Sequence, residues 1–336
     1  MGVIGLGAFG ESHVQAFRGL PHADVVAVAS RSGEHARAVA ARYDVPRWYE
    51  GYAGLIDDPM IEAVSVATAE SDHREPAVAA LRAGKHVLVE KPMASTLADA
   101  LAIVDAARRS SSLLMPGHIL RFETKYAAMK NAVDAKVLGR LTAISARRNR
   151  PRSLVTSHGR VHPALVTAIH DVDVMLWLTG DRVRTVRAIH RLSDRDDGAH
   201  GLWALLEFEH GTVGTLETAW TVPDEVGLGA DDAFEVIGRS GTAKIQFDVP
   251  AFRVWRRSGV HVPDVSYEPR VHGAVTGALK EEVSYFATCA LTGMPPSVVT
   301  PTDGLNALVV VLALIESAER NADVAVAWPA NSTAEA

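Results

Sequence analysis

The sequence predicts a doubly wound α/β domain followed by an α+β domain, and three observations carry that expectation. Over residues 1–117, short apolar strands without polar alternation are separated by helical segments, the pattern of a parallel sheet covered on both faces. A glycine-rich turn, Gly5-Leu6-Gly7-Ala8-Phe9-Gly10, connects the first strand to the first helix. Past residue 117 the strands alternate polar and apolar side chains, as in Leu202-Trp203-Ala204-Leu205-Leu206-Glu207-Phe208-Glu209, which fits an antiparallel sheet with one wet face.

The elements follow in order. Met1–Ile4 reads as a strand, residues 11–20 as a helix, and Asp24–Ala29 as a second buried strand. Ser32 is placed to cap a helix that ends near Tyr43. Strands are expected at 63–67, 86–89 and 113–116, and helices at 72–83 and 96–109, with Gly84 closing the first of these. In the second domain, helices are expected at 122–135, 161–178, 273–291 and 303–320. A strand covers 141–150, and several strands lie between 183 and 254, broken at His210-Gly211 and Arg239-Ser240-Gly241. The division is then 1–117, 118–328 and a loose tail at 329–336.

Composition narrows the function classes. A chain of 336 residues with 48% hydrophobic and 22% charged residues suits two globular domains with buried cores. A net charge of −6 gives no global basic field for nucleic acid. The cluster Arg147, Arg148, Arg150 and Arg152 reads first as a solvated strand end and second as a seat for an anionic substrate group. A lone cysteine, Cys289, makes no intrachain disulfide, and no zinc pattern or signal segment is evident. The expectation is a cytoplasmic protein that engages neither membrane nor nucleic acid.

The glycine turn has a physical use. Glycines at 5, 7 and 10 permit a tight turn, so a pyrophosphate can reach main-chain N–H groups at a helix N-terminus, with Ala8 and Phe9 completing the loop. The end of the second strand selects the nucleotide, and it reads Ser30-Arg31-Ser32 where an acidic residue would indicate NAD. Serine removes a carboxylate that would repel a 2′-phosphate, and Arg31 can stack on adenine or pair with that phosphate. NADP is therefore favoured over NAD, the competing reading of Arg31 being a solvated helix-start residue.

Ala83-Gly84-Lys85-His86-Val87-Leu88-Val89-Glu90-Lys91-Pro92-Met93-Ala94 is the most specific stretch. Lys91 follows the carboxyl end of a buried strand, where ligands sit in such sheets, and Pro92 can take the cis form. Together with the glycine turn, this segment resembles the family of glucose–fructose oxidoreductase, inositol dehydrogenase and rhizopine-catabolism proteins (Gfo/Idh/MocA). Residues 68–73, 117–122, 170–177, 237–242 and Asp303-Gly304 follow in the family's order. The resemblance implies a Rossmann domain, then a domain with an open, mostly antiparallel sheet that often makes an oligomer interface. It implies NAD(P)-dependent oxidation or reduction of sugars, cyclitols and their derivatives, in a homodimer or homotetramer formed through that sheet. It also implies that Lys91 lies near the nicotinamide and the reacting carbinol, with Glu90, Thr68 and His73 on the cofactor side.

Helical spacing sets Val166, His170, Asp173 and Trp177 on roughly one face. An imidazole can take a hydroxyl proton while hydride leaves the same carbon, so His170 is the candidate base and Asp173 a candidate for a substrate hydroxyl. By residue type alone, His170 reads first as a structural histidine, and it is the family resemblance that reverses the order. Members of the family commonly carry an aspartate where this chain has Val166, which removes an acceptor and a proton-relay partner. His158 and His162 have the spacing of a zinc pair but lack a third ligand. Arg121, Arg147, Asn149, Arg160 and Trp220 are candidate substrate contacts or surface residues. Two other readings compete with hydride transfer to substrate: redox-neutral glycoside processing with a retained dinucleotide, and a non-catalytic dinucleotide sensor.

Overall fold

The computed structural model describes residues 1–159, 161–192, 199–224, 231–246, 252, 254–257, 259–261 and 263–330. Its first half is a Rossmann domain. Strands β1 (Gly2–Ile4), β2 (Ala27–Ser30), β3 (Arg47–Glu50), β4 (Ala63–Val66), β5 (His86–Glu90) and β6 (Leu114–Gly117) form a parallel sheet in the order β3-β2-β1-β4-β5-β6. The order reverses between β1 and β4, and ligands of open α/β sheets bind outside the carboxyl ends of the strands at such a point. Helices α1 (Ala8–Arg18), α2 (Gly33–Arg42), α3 (Ala53–Asp57), α4 (Arg74–Arg82) and α5 (Leu97–Arg108) intervene.

Local chemistry sets several of these boundaries. Ser32 accepts the His35 N–H at 3.2 Å and Thr96 accepts that of Asp99, also at 3.2 Å, so both serve as N-caps. Gly84 takes φ +76° just past α4. Strand β3 is absent from the expected elements, because its Arg-Trp-Tyr-Glu side chains are largely exposed on a sheet edge and lack apolar periodicity. Helix α1 starts three residues before its expected position, inside the glycine turn.

The second half contains α6 (Thr124–Asp134), β7 (Leu141–Pro151), α7 (Leu154–His158) and α8 (Ile169–Thr179), then β8 (Val183–Leu192), β9 (Ala199–Phe208), β10 (Val213–Val222), β11 (Asp231–Gly238) and β12 (Thr242–Gln246). Two small ribbons follow, β13 (Val254–Arg256) with β14 (Gly259–His261) and β15 (Arg270–Val271) with β16 (Ala274–Val275). Helices α9 (Ala278–Thr292) and α10 (Pro301–Arg320) and the short β17 (Val324–Ala325) close the chain. The large sheet runs β12-β11-β7-β10-β9-β8-β17 and is antiparallel except where β7 pairs with β10. The expected long helix at 161–178 divides into a π turn at Ala164–Ala168 and then α8.

The predicted division at residue 117 is revised by packing. One compact unit takes in Met1–Glu123 and also Asp264–Leu305, and the other holds Thr124–Pro263 with the chain from Asn306. The physical reason is α9, whose Val283, Phe286 and Ala287 share a core with Val14 and Phe17 of α1. Residues 331–336 of the expected tail lie outside the described residues. Helix α10 is apolar and long enough to cross a membrane, but most of it is buried, including Leu308, Val310, Val311 and Leu314. It is a core helix by that measure.

Of the arginine cluster, Arg152 is exposed just past β7, as a solvated strand end would be, but Arg147, Arg148 and Arg150 are tied into ion pairs. Arg148 is 2% exposed; its Nε and Nη2 donate to the two carboxylate oxygens of Asp171, each at 2.8 Å, and its Nη1 donates to Asp232 at 2.9 Å. Arg150 also binds Asp232, and Arg147 reaches Asp231 at 2.7 Å. Burial alone would push Asp232 up, but the guanidiniums of Arg148 and Arg150 hold it below the usual carboxylate range. For Asp171, burial wins and pushes the carboxyl up despite Arg148. Removing one partner from such a cluster leaves charge buried without compensation. Arg148→Met should therefore cost about 3–5 kcal/mol of stability, read as a lower midpoint in urea denaturation; an unshifted midpoint would contradict the role given to this cluster.

Candidate active site

The dinucleotide loop is built by close backbone approach. A Cβ on Gly10 would stand 2.0 Å from the Gly5 carbonyl oxygen, and Gly5, at φ +92°, lies against the Ala67 and Thr68 backbone. Neither position has room for a side chain. Gly7 differs, since nothing lies within 4 Å of where its Cβ would be. Gly7 and Ala8 are exposed at the start of α1, with Phe9 half-buried behind them. Open space next to unpaired N–H groups at a helix N-terminus fits a pyrophosphate. A nicotinamide dinucleotide therefore fits the residues present, and Gly5, Gly7, Ala8, Phe9 and Gly10 are those that would hold its pyrophosphate.

A turn into α1, His13 points inward and is fully buried. Its Nδ1 lies 2.9 Å from the Ser65 hydroxyl on β4, and its Nε2 lies 3.1 Å from Glu90 Oε1 at the end of β5. Glu90 Oε2 accepts the Lys91 backbone N–H at 3.1 Å. A buried line thus runs from Ser65 through His13 to the backbone of Lys91. Burial would push the Glu90 carboxyl up, but the hydrogen bond and charge of His13, with Lys91 and His73, bring it below the usual range. Glu90 therefore faces the core, and Gly117 is required beside it because a Cβ there would meet Oε1 at 2.7 Å.

The Lys91–Pro92 peptide is cis, and Lys91 is half-buried. His73, 1% exposed, sits between the Pro92 carbonyl, 2.9 Å from Nδ1, and the Thr68 carbonyl, 3.1 Å from Nε2. Burial depresses its pKa. It ties the exit of β4 to the Glu-Lys-Pro turn. Another carboxyl escaped sequence reading: Glu282 of α9 is fully buried and has no hydrogen-bond partner among the described residues. Burial first, and then Glu90, pushes it well above the usual range.

At the end of β2, Ser30 and Ser32 are joined by a 3.4 Å bond from the Ser32 N–H to Ser30 Oγ. Arg31 extends into solvent, 3.7 Å from Asp72.

In the second unit, His170 is half-buried in the first turn of α8 and Asp173 is 1% exposed. Val166 is 7% exposed and lies in the π turn, so the four-residue step to His170 crosses a change of helical type. The single helical face expected from Val166 to Trp177 holds only from His170 onward. π turns of this kind are frequent at functional sites.

Several candidate substrate contacts are committed elsewhere. Arg121 is 5% exposed, donates to the Val298 carbonyl at 2.8 Å and lies 3.3 Å from Asp303. Trp220 is 1% exposed and its indole N–H donates to Thr167 at 3.3 Å. Asn149 donates to Glu217 at 2.7 Å. His162 stacks with His190 at 6.0 Å, and burial holds its pKa down to about 4. No metal-binding group of histidine, cysteine or carboxylate side chains exists among the described residues. Arg160 lies outside the described residues.

A Rossmann loop shaped for a pyrophosphate, joined to a lysine at the end of β5, defines a dinucleotide-dependent oxidoreductase. The chain belongs to the Gfo/Idh/MocA oxidoreductase family: residues 1–118 match the model of its NAD-binding Rossmann fold and residues 126–244 match that of its C-terminal domain. It is 32% identical to inositol 2-dehydrogenase 2 of Saccharopolyspora erythraea over 87% of this chain and 86% of that one. It is also 32% identical to an inositol 2-dehydrogenase of Acidothermus cellulolyticus, over 75% and 74% of the two chains. Among solved structures, scyllo-inositol dehydrogenase of Lactobacillus casei with NAD(H) and scyllo-inositol superimposes with a TM-score of 0.82 and 25% identity, covering 97% and 98% of the two chains. The chain is a dehydrogenase that acts on CH–OH groups with a nicotinamide dinucleotide.

Proposed function

We propose that the substrate is a cyclitol or a related polyol or sugar, oxidised at a secondary carbinol, and that Lys91 and His170 handle the proton. The similarity to inositol 2-dehydrogenases over most of the chain carries the substrate class. The nicotinamide, when bound, accepts the hydride.

Lys91 suits the task because its backbone is fixed by Glu90 and the cis Pro92 at the carboxyl end of β5, where ligands of such sheets bind. An ammonium there polarises the carbinol oxygen and stabilises the developing alkoxide. His170 takes the hydroxyl proton as general base, and Asp173 accepts from a neighbouring substrate hydroxyl. Val166 contributes only an apolar wall, so the proton has two carriers instead of three. No observation favours redox-neutral glycoside processing or a sensor role. Serine at position 30 and Arg31 are the residues at the β2 end that speak for NADP. The single buried thiol, Cys289, pushed up by burial, suits a reducing cytoplasm.

Lys91→Met should lower kcat on inositols by about 10²–10⁴-fold with the dinucleotide Kd nearly unchanged. Steady-state kinetics beside equilibrium binding decides this, and an unaltered kcat would remove Lys91 from the mechanism.

We also propose that the open face of the seven-stranded sheet pairs with a second copy of the chain. Ile189, Leu205 and Trp203 are 61%, 52% and 39% exposed there, three large apolar side chains on one face. Arg187, Lys244, Glu217 and Glu235 on the same face supply both signs of charge, which lets a face meet its own copy about a two-fold axis. Trp203→Glu should shift the sedimenting species to a smaller mass. A monomeric parent protein, or an unmoved assembly in the variant, would sink this reading.

A further inference from the structure

The β2 end lacks the acid that ordinarily reads the adenosine ribose, yet the neighbouring strand brings one to the same place. Ser30 pairs in register with Glu50, the last residue of β3, and the Gly51 N–H donates to the Ser30 carbonyl at 2.8 Å. Glu50 turns its exposed carboxylate along the start of α2, where Oε2 stands 2.8 Å from the position a Cβ on Gly33 would occupy. A side chain at residue 33 would displace it. The first turn of α2 is itself fixed against the glycine loop, since His35 Nε2 lies 2.8 Å from the Leu6 carbonyl. The Glu50 backbone is thus registered on the β2 end and its carboxylate lies beside the start of α2, next to where a ribose is read in this fold.

The surrounding charges point the same way. Arg31 is the cation of the Ser30-Arg31-Ser32 segment, and Asp72 already faces it at 3.7 Å. Glu50 beside Gly33 adds a second carboxylate. A ribose 2′-hydroxyl can donate to a carboxylate, whereas a 2′-phosphate brings about −1.5 to −2 charges to the same place. One guanidinium, already shared with Asp72, is left with little charge to offset a 2′-phosphate beside the Glu50 carboxylate.

We propose that Glu50, from the strand next to the expected one, replaces the missing β2 acid and makes NAD the preferred dinucleotide, against the preference that Ser30 and Arg31 alone would set. The inference deepens the hydride-transfer reading and rests on it. It assigns Glu50 as the specificity-determining residue at the ribose.

Equilibrium titration of the full chain with NAD⁺ and NADP⁺, for the parent protein, Glu50→Gln and Glu34→Gln, tests it without a turnover substrate. The parent should bind NAD⁺ about 10-fold or more tighter than NADP⁺, the size expected from one unscreened charge contact. Glu50→Gln should tighten NADP⁺ by about 10-fold and change NAD⁺ less. Glu34→Gln, altering an exposed charge without the Gly33 contact, should move the ratio by no more than about two-fold. Glu50 is on the surface, so circular dichroism should show both variants folded. A parent that prefers NADP⁺, or a ratio that Glu50→Gln leaves in place, overturns the assignment while the oxidoreductase reading stands. Failure of the parent to bind either dinucleotide overturns both.

Discussion

Residue 10 has no space for a Cβ, because the carbonyl of Gly5 lies 2.0 Å from where that atom would be. This contact presses the start of α1 onto the end of β1, and Gly5 in turn lies on the backbone that leaves β4. Three consequences follow from one close approach. The N–H groups of the first turn open toward the carboxyl ends of the strands, the β4 exit is held beside them, and His13 is carried inward to Ser65 and Glu90. A larger residue at either glycine would lift α1 off the sheet and undo all three. The cofactor loop and the support of Lys91 are thus one construction.

Buried polar side chains serve two ends in this protein. In the first unit, His13, Glu90 and His73 are enclosed beneath the Glu-Lys-Pro turn and fix a backbone instead of exposing a reactive group. In the second, Arg148, Asp171 and Asp232 join β7, β11 and α8. The arginines of β7 that could have met an anionic substrate are consumed in this way. Lys91, in one unit, and His170, in the other, are both half-buried.

Much of this was legible in the sequence. Buried parallel strands declare themselves as uninterrupted apolar runs, and Ser32, Thr96 and Gly84 mark their helix ends by side-chain chemistry that is local. The exposed edge strand β3 gave no apolar signal, and so Glu50 went unread. His13 follows the last glycine by three residues, one helical turn, which puts it on the inward face. That spacing was a usable signal for a buried partner. The return of α9 to the Rossmann core depends on packing across more than 250 residues of chain, with Val283 and Phe286 in one core with Val14 and Phe17, and no local pattern encodes it. The π turn before His170 has no signature in residue type, which is why a single helical face was expected from Val166 onward.

Transfer of a carbon-bound hydrogen from substrate to nicotinamide is the central claim, and isotope labelling addresses it directly. The chain would be incubated with NAD⁺ or NADP⁺ and inositols deuterated at carbon, and the recovered dinucleotide analysed by mass spectrometry and NMR. The account predicts deuterium at C4 of the reduced nicotinamide, one label for each inosose formed. Bound dinucleotide that stays oxidised and unlabelled across inositols and related sugars would contradict it.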